Sequence, residues 1–216
     1  MAYGSYGLYF EKFNSLESRI VDRLFLWRTR LDATLPAGLD RVVHVDANRY
    51  FSRSQHARVI DNLARMNVSV LLVDFLFADI INRDEDQQLI DASRKSGNVI
   101  YGLRFDSLID QPVARPLSSD MKPAVAPDAN GWPLVFEGDH SSFYNGTSPL
   151  TPYSELAAAA RGVGFLNIIA DPDGIVRSLP LLAMYGGAYY PSLAFRAACD
   201  YLNVSAQNVI VEPGIS

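Results

Sequence analysis

The chain reads as an α/β domain, and three observations say so. A nearly unbroken β-branched and aliphatic run at residues 68–75 looks like a strand covered on both faces. Segments of about a dozen residues with three-and-four apolar spacing separate the strands. Strand, helix, strand, helix and strand follow in turn, which implies right-handed crossovers and a parallel βαβαβ half-sheet.

Residues 9–35 contain no Gly or Pro, and Phe13, Leu16, Ile20, Leu24, Trp27 and Leu31 recur at helical spacing. That pattern predicts a long N-terminal amphipathic helix, ended by Pro36 and Gly38. Residues 41–46 read as the first short strand. Ser52 or Ser54 then caps a helix with Val59, Ile60, Leu63 and Ala64 on one face. The strand at 68–75 follows. Asp84, Glu85 and Asp86 suit the positive end of a helix that stops at Gly97-Asn98, and 99–105 is the third strand.

From residue 106 to about 150 the pattern dissolves into Pro, Ser, Asp and Gly with a few aromatics, far longer than the usual loop of about four to six residues. Helix resumes at 154–160. Residues 163–185 read as an antiparallel hairpin added to the sheet, turning at Asp171-Pro172-Asp173-Gly174. Pro191 and Ser192 open the last helix, and residues 209–213 begin another strand. The expected division is an N-terminal helix over 1–36 and an α/β domain over 37–216.

Composition narrows the function. The chain has 216 residues, 49% of them hydrophobic, enough for a substantial core. A formal net charge of -5 argues against nucleic acid and against docking on anionic lipid. Cys199 is the sole cysteine, so no internal disulfide forms, and a small buried thiol is the plain reading. The uncharged run at 178–195 is broken by Pro180, Gly186, Gly187 and Pro191, which rules it out as a spanning helix.

Asp46 and Asp74 each end an apolar run. In open α/β sheets ligands bind beyond the carboxyl ends of the strands, so two acids there suit a neutral polar or cationic small molecule. The competing reading is that each caps its following loop. Trp132, Phe136, Phe143 and Tyr144, from the long insertion, are candidates for the apolar wall of such a pocket. Asp171, Asp173 and Gly174 resemble part of a calcium loop, but Arg177 stands where another acid would help. A turn braced by an Arg177 ion pair is the favoured reading, and no metal or other cofactor is expected. His44 sits in an apolar run, and His140, beside Ser141 and Ser142, lies in the insertion. Neither forms a catalytic constellation, and no catalytic residue is assigned.

Several stretches carry a resemblance. The strand Gly164-x-x-Asn167, the turn Asp171-x-Asp173-Gly174 with Arg177 three residues on, and Tyr190-Pro191-Ser192-Leu193 resemble the extracellular sensory domain of the second CHASE family. That domain precedes bacterial cyclases and histidine kinases. Leu16-Glu17, the Asp22 to Arg30 stretch, and the 71–77 run with Asp74 and Phe75 match the same family. After Asp46 the family usually has an acid and a Ser, where this chain has Ala47, Asn48 and Arg49.

The resemblance implies a periplasmic or extracellular sensor in a membrane-anchored bacterial protein, with transmembrane helices on both sides. The output would be an adenylate or guanylate cyclase, diguanylate cyclase or histidine kinase. It also implies a homodimer, since such effectors act in pairs. The alternatives are an α/β hydrolase-like enzyme with the insertion as its lid, and a coupling module without a small ligand.

Overall fold

A computed structural model describes residues 19–24, 26–27, 41–46, 50–110, 131–132, 134–136 and 143–211. The chain divides into two units, 1–49 and 50–216.

In the first unit residues 19–24 and 26–27 are helical, and Ile20, Leu24, Leu26 and Trp27 are exposed. The rest of the long helix expected over 9–35 lies outside the described residues, so its length is not shown. Residues 42–46 form no strand, contrary to the sequence reading, and Val42 and Val43 are 75% and 79% exposed. A β-branched run has the propensity for a strand, but a strand needs a ladder partner, and propensity does not supply one.

In the second unit Ser52 opens helix α1 (Arg53–Arg65). Its hydroxyl accepts from Gln55 N, and the Gln55 side chain accepts in return from Ser52 N. This reciprocal box satisfies two otherwise orphaned amides. Strand β1 (Leu71–Val73) leads to α2 (Arg83–Ser96), capped by Asn82, whose Oδ1 accepts from Asp84 N and Glu85 N. Gly97, at φ 70°, ends α2 in the left-handed conformation that glycine adopts without a Cβ penalty.

Strand β2 (Val99–Asp110) continues five residues past the expected end at 105. Its first half lies between parallel partners. β1 pairs Val73 with Tyr101, and β5 (Gly162–Phe165) pairs Val163 with Tyr101. The parallel unit is therefore β1-β2-β5, with β5 supplying the third strand that residues 41–46 do not. The second half of β2 pairs antiparallel with β4 (Tyr144–Leu150), matching Asp110 with Tyr144. The two ends of the insertion are thus zipped together, a polar extension the sequence reading took for loop. β3 (Val135–Phe136), within the insertion, pairs parallel with β8 (Ile210–Val211) as a separate two-stranded sheet.

The hairpin also differs from expectation. β5 does not pair with β6 (Leu182–Tyr185). β6 pairs antiparallel with β7 (Ala188–Pro191) around Gly186 and Gly187, whose φ values of 58° and 83° fit a two-residue turn of the primed type. The main sheet runs β1-β2-β4-β6-β7, with β5 joined to β2. A mixed α/β sheet extended by an antiparallel hairpin is present, but the hairpin lies about 13 residues later than its expected turn.

Alternation along β2 places the layers. Val99, Tyr101, Leu103 and Phe105 all enter the main core with Ala57 and Ile60 of α1, Leu89, Ile90 and Ala92 of α2, and Leu156 of α3 (Ser154–Ala159). The other face of the parallel unit carries Gly162 and Gly164, and helix α4 (Leu193–Tyr201) lies against it. A second cluster of Trp132, Leu182 and Cys199, with Phe143, Phe195, Val209 and Val211 around it, covers the outer side of α4. The Cys199 thiol is buried as anticipated, and burial raises its pKa.

Candidate functional site

Part of the motif, Gly164, Asn167, Ser192 and Leu193, lies where β5 approaches the start of α4. A Cβ on Gly164 would stand 2.5 Å from the Leu193 Cα and 2.7 Å from its N, so only glycine lets β5 come this close to the start of α4. Ser192 caps that helix by accepting from Phe195 N, and Phe165 forms a parallel bridge to it. Three residues after Gly164, Asn167 Oδ1 accepts from Phe105 N at 2.8 Å, while its Nδ2 donates to Phe105 O at 2.7 Å. Opposite Phe105 in β4 stands Pro149, which has no N–H to offer. The Asn167 side chain therefore completes the ladder at the point where β2 exchanges its parallel partners for β4.

The Asp171 to Gly174 turn is formed. Gly174 N donates to Asp171 O at 2.8 Å and Asp171 N to Ile175 O at 2.9 Å, with Gly174 at φ 80°. Arg177 reaches Asp171 Oδ2 at 2.6 Å and grips both Asp173 oxygens, at 2.9 and 2.8 Å. The Arg177 hydrogen bond holds the Asp173 carboxyl below its ordinary range. The turn and its brace match the sequence reading, but these residues bridge β5 and β6 as a surface strap instead of turning a ladder. Ile168, Ile175, Val176, Leu179 and Leu181 stand exposed along it.

The residues proposed for the ligand fall in different places. Asp46 is exposed in the first unit. Asp74 is exposed just past β1, at the carboxyl end of a parallel strand as expected. Tyr144 begins β4 opposite Asp110, at the far end of β2. Val73 pairs with Tyr101, so about nine residues of β2, roughly 30 Å at about 3.3 Å per residue, separate the two positions. Asp74 and Tyr144 therefore do not share a pocket. The physical reason is that β2 extends through the start of the insertion and carries its aromatics away from the parallel strand ends.

Trp132 and Phe143 belong to one apolar cluster. Trp132 is buried, donates its backbone N–H to Tyr189 O at 2.7 Å, and packs its ring at a tilt on Phe195, with the Arg196 guanidinium 5.5 Å from the ring. Phe136 lies in β3 beside β8. Phe143 and Tyr144 line an open, mainly apolar groove of about 350 Å³ with Leu181, Leu182, Phe195 and Ile210. His44 is exposed, and His140 lies outside the described residues. Among the described residues no group of three or more His, Cys, Asp or Glu side chains is placed to hold a metal ion.

A buried polar cluster beside β1 was not anticipated. Asp86 is 2% exposed. Its Oδ2 accepts from Ile81 N and Asn82 N, and its Oδ1 lies 3.2 Å from Arg53 Nε. Arg53 also donates to Asp79 O and lies 4.1 Å over the Phe77 ring. Tyr101, bonded to Ser93 Oγ at 2.7 Å, has its pKa pushed up to about 12 by burial. Asp86, Leu89, Ile90 and Ser93 share one helical face, a spacing that marks Asp86 as inward-facing.

A family model for the CHASE2 domain matches residues 2–214. The chain belongs to this family, whose members are sensory domains of signalling proteins. No curated protein and no solved structure matches it. Among the described residues no helix is long and apolar enough to cross a membrane.

Proposed function

We propose that the chain is the ligand-sensing domain of a membrane-anchored bacterial signalling protein, on the periplasmic or extracellular side. Its output would be an adenylate or guanylate cyclase, a diguanylate cyclase or a histidine kinase. The observation that carries the reading is membership of a sensory family over nearly the whole chain. A homodimer is part of the proposal, supported by the apolar side chains Ile20, Leu24 and Trp27 left exposed on the first unit's helical residues.

A sensor needs a ligand that binds two arrangements of the domain unequally, because equal binding shifts nothing. The groove beside Phe143 and Tyr144 is the proposed seat. It adjoins the strap held by Arg177, whose Pro180 and Leu181 line it. Net charge -5 favours a neutral or cationic molecule with an apolar face. Asp74, away from the groove, is not part of the proposed seat.

The test is a thermal-shift screen of the chain with neutral sugars, amino acids, and aliphatic and aromatic amines. The reading expects at least one compound to raise Tm, with the rise lost in Leu181→Gln/Ile210→Gln, which alters exposed groove residues without opening the core. No stabilising compound, or a rise that survives the double variant, contradicts the proposed seat.

A further inference from the structure

His56, in the first turn of α1, holds a ring nitrogen without a partner. Its Nδ1 lies 3.0 Å from Ser52 O. A carbonyl only accepts, so Nδ1 carries the proton and Nε2 of the neutral ring is an acceptor. Nε2 is buried and has no hydrogen-bond partner among the described residues.

Three phenyl rings surround the imidazole. Phe51, Phe75 and Phe77 lie 5.6, 5.0 and 5.2 Å from it, each at a steep edge-on angle. Phe51 belongs to the segment leading into α1. Phe75 and Phe77 belong to the loop leaving β1, which also carries Asp74. The neutral ring therefore joins that entry segment to the strand-end loop.

Several elements around the ring carry charged and titratable groups. Arg53, Arg58, Asp61 and Arg65 are on the same helix. Asp74 and Asp79 are on the loop, Asp86 on α2, Tyr101 on β2 and Tyr153 ahead of α3. Asp86 is committed to Arg53. None of the carboxylates hydrogen-bonds His56, and among them all only Arg53 acts on it through charge. A proton on Nε2 would create a buried donor with no acceptor and a second cation beside Arg53.

We propose that His56 is a proton-operated latch: neutral, it ties residues 50–52 to the 74–77 loop, and protonated, it leaves the phenyl cluster and frees that loop. Burial, the larger cause, and the nearby Arg53 lower the His56 pKa, while the Ser52 bond opposes them. With the packed value below the ordinary one of about 6.5, the opened state binds more protons in the interval between them. Closure is thus fully stable above that interval and weakens as pH falls through it. The open population rises by up to about tenfold per pH unit there. The latch is a property of packing, goes beyond the sensing role and does not depend on which ligand is sensed.

The experiment is an NMR titration of the full chain, with the His56 ring signals identified by their loss in His56→Asn. That variant keeps a neutral donor at the Nδ1 position. Amide exchange of residues 50–56 and 74–82 is followed over the same pH range. The proposal expects His56 to titrate below about 6.5, with protection of both segments falling in step and the dependence absent in His56→Asn. A pKa at or above the ordinary value, meaning that the phenyl faces hold the imidazolium, overturns it. So does opening that persists unchanged in His56→Asn. His56→Phe, uncharged at every pH, is the second variant. If neither variant folds, the wild-type ring titration and amide exchange decide together, and titration without loss of protection overturns the latch.

Discussion

Replacing Asn167 by Ala tests whether one side chain completes the sheet at its branch point. Phe105 is fully buried, and both of its backbone groups bond Asn167. Pro149, opposite in β4, has no N–H to replace the lost donor. A buried backbone group left unsatisfied costs about 1–3 kcal/mol, so two cost about 2–6 kcal/mol. Asn167 is half-buried, and water entering from its open side recovers part of this, which leaves about 2–4 kcal/mol. At about 2–4 °C per kcal/mol for a domain of this size, Tm falls by roughly 5–15 °C.

Asn167→Asp sharpens the test. It keeps an acceptor for Phe105 N–H but sets a carboxylate against Phe105 C=O. That contact raises the folded-state pKa of the new acid above its unfolded value. The folded state then binds more protons, so the variant regains stability as pH falls through that raised pKa. Urea unfolding of both variants from pH 4 to 8 gives the readout. A loss under about 1 kcal/mol for Asn167→Ala, or no recovery of Asn167→Asp in acid, refutes the ladder argument.

Gly164→Ala drives a methyl into the Leu193 backbone, so the chain should lose at least the roughly 1–3 kcal/mol typical of overpacking, read as a lower urea midpoint. Removing one partner of the buried Arg53–Asp86 pair, by Arg53→Met, should cost about 3–5 kcal/mol, with much of the loss recovered in Arg53→Met/Asp86→Leu, measured as a double-mutant cycle. Tyr101 titrates near 12 and burial also raises Tyr153. The folded state therefore retains their protons longer than the unfolded chain, and stability should fall as pH rises above about 10, less so in Tyr101→Phe. Arg177→Gln should raise amide exchange at Gly174 and Ile175 several-fold with little change in Tm, because the turn is a surface strap.

Local signals in the sequence located most elements, since caps and breakers act over a few residues. Ser52, Asn82 and Gly97 bound their helices through bonds to neighbouring amides, and Asp171 to Gly174 with Arg177 makes its turn alone. Pairing was less legible. The 42–46 run has strand chemistry but no partner, while the strand that completes the parallel unit, Gly162–Phe165, owes its place to two glycines and the backbone of Leu193 some thirty residues on. The real hairpin turn was visible as Gly186-Gly187 between apolar runs, yet the Asp-Pro-Asp-Gly signal outweighed it.

The site was legible only in pieces. Phe143 and Tyr144 line the groove, whereas Asp74 lies at the other end of β2, and the rule for strand ends that groups it with them takes no account of that strand's length. The spacing of Asp86 from Leu89, Ile90 and Ser93 marks it as inward-facing, whereas Arg53 and His56 read as a helix's polar residues and only packing shows them facing inward.

The most direct test of the sensing account uses the full-length protein, freed of any cysteine outside this chain, with Cys199→Ala and Leu181→Cys, which places one thiol in the groove. Intact spheroplasts are treated with a bulky, membrane-impermeant maleimide, and cyclase or kinase output is measured before and after. The account predicts labelling without lysis and a changed output. Labelling only after permeabilisation, or complete labelling of folded protein with output unchanged, would contradict it.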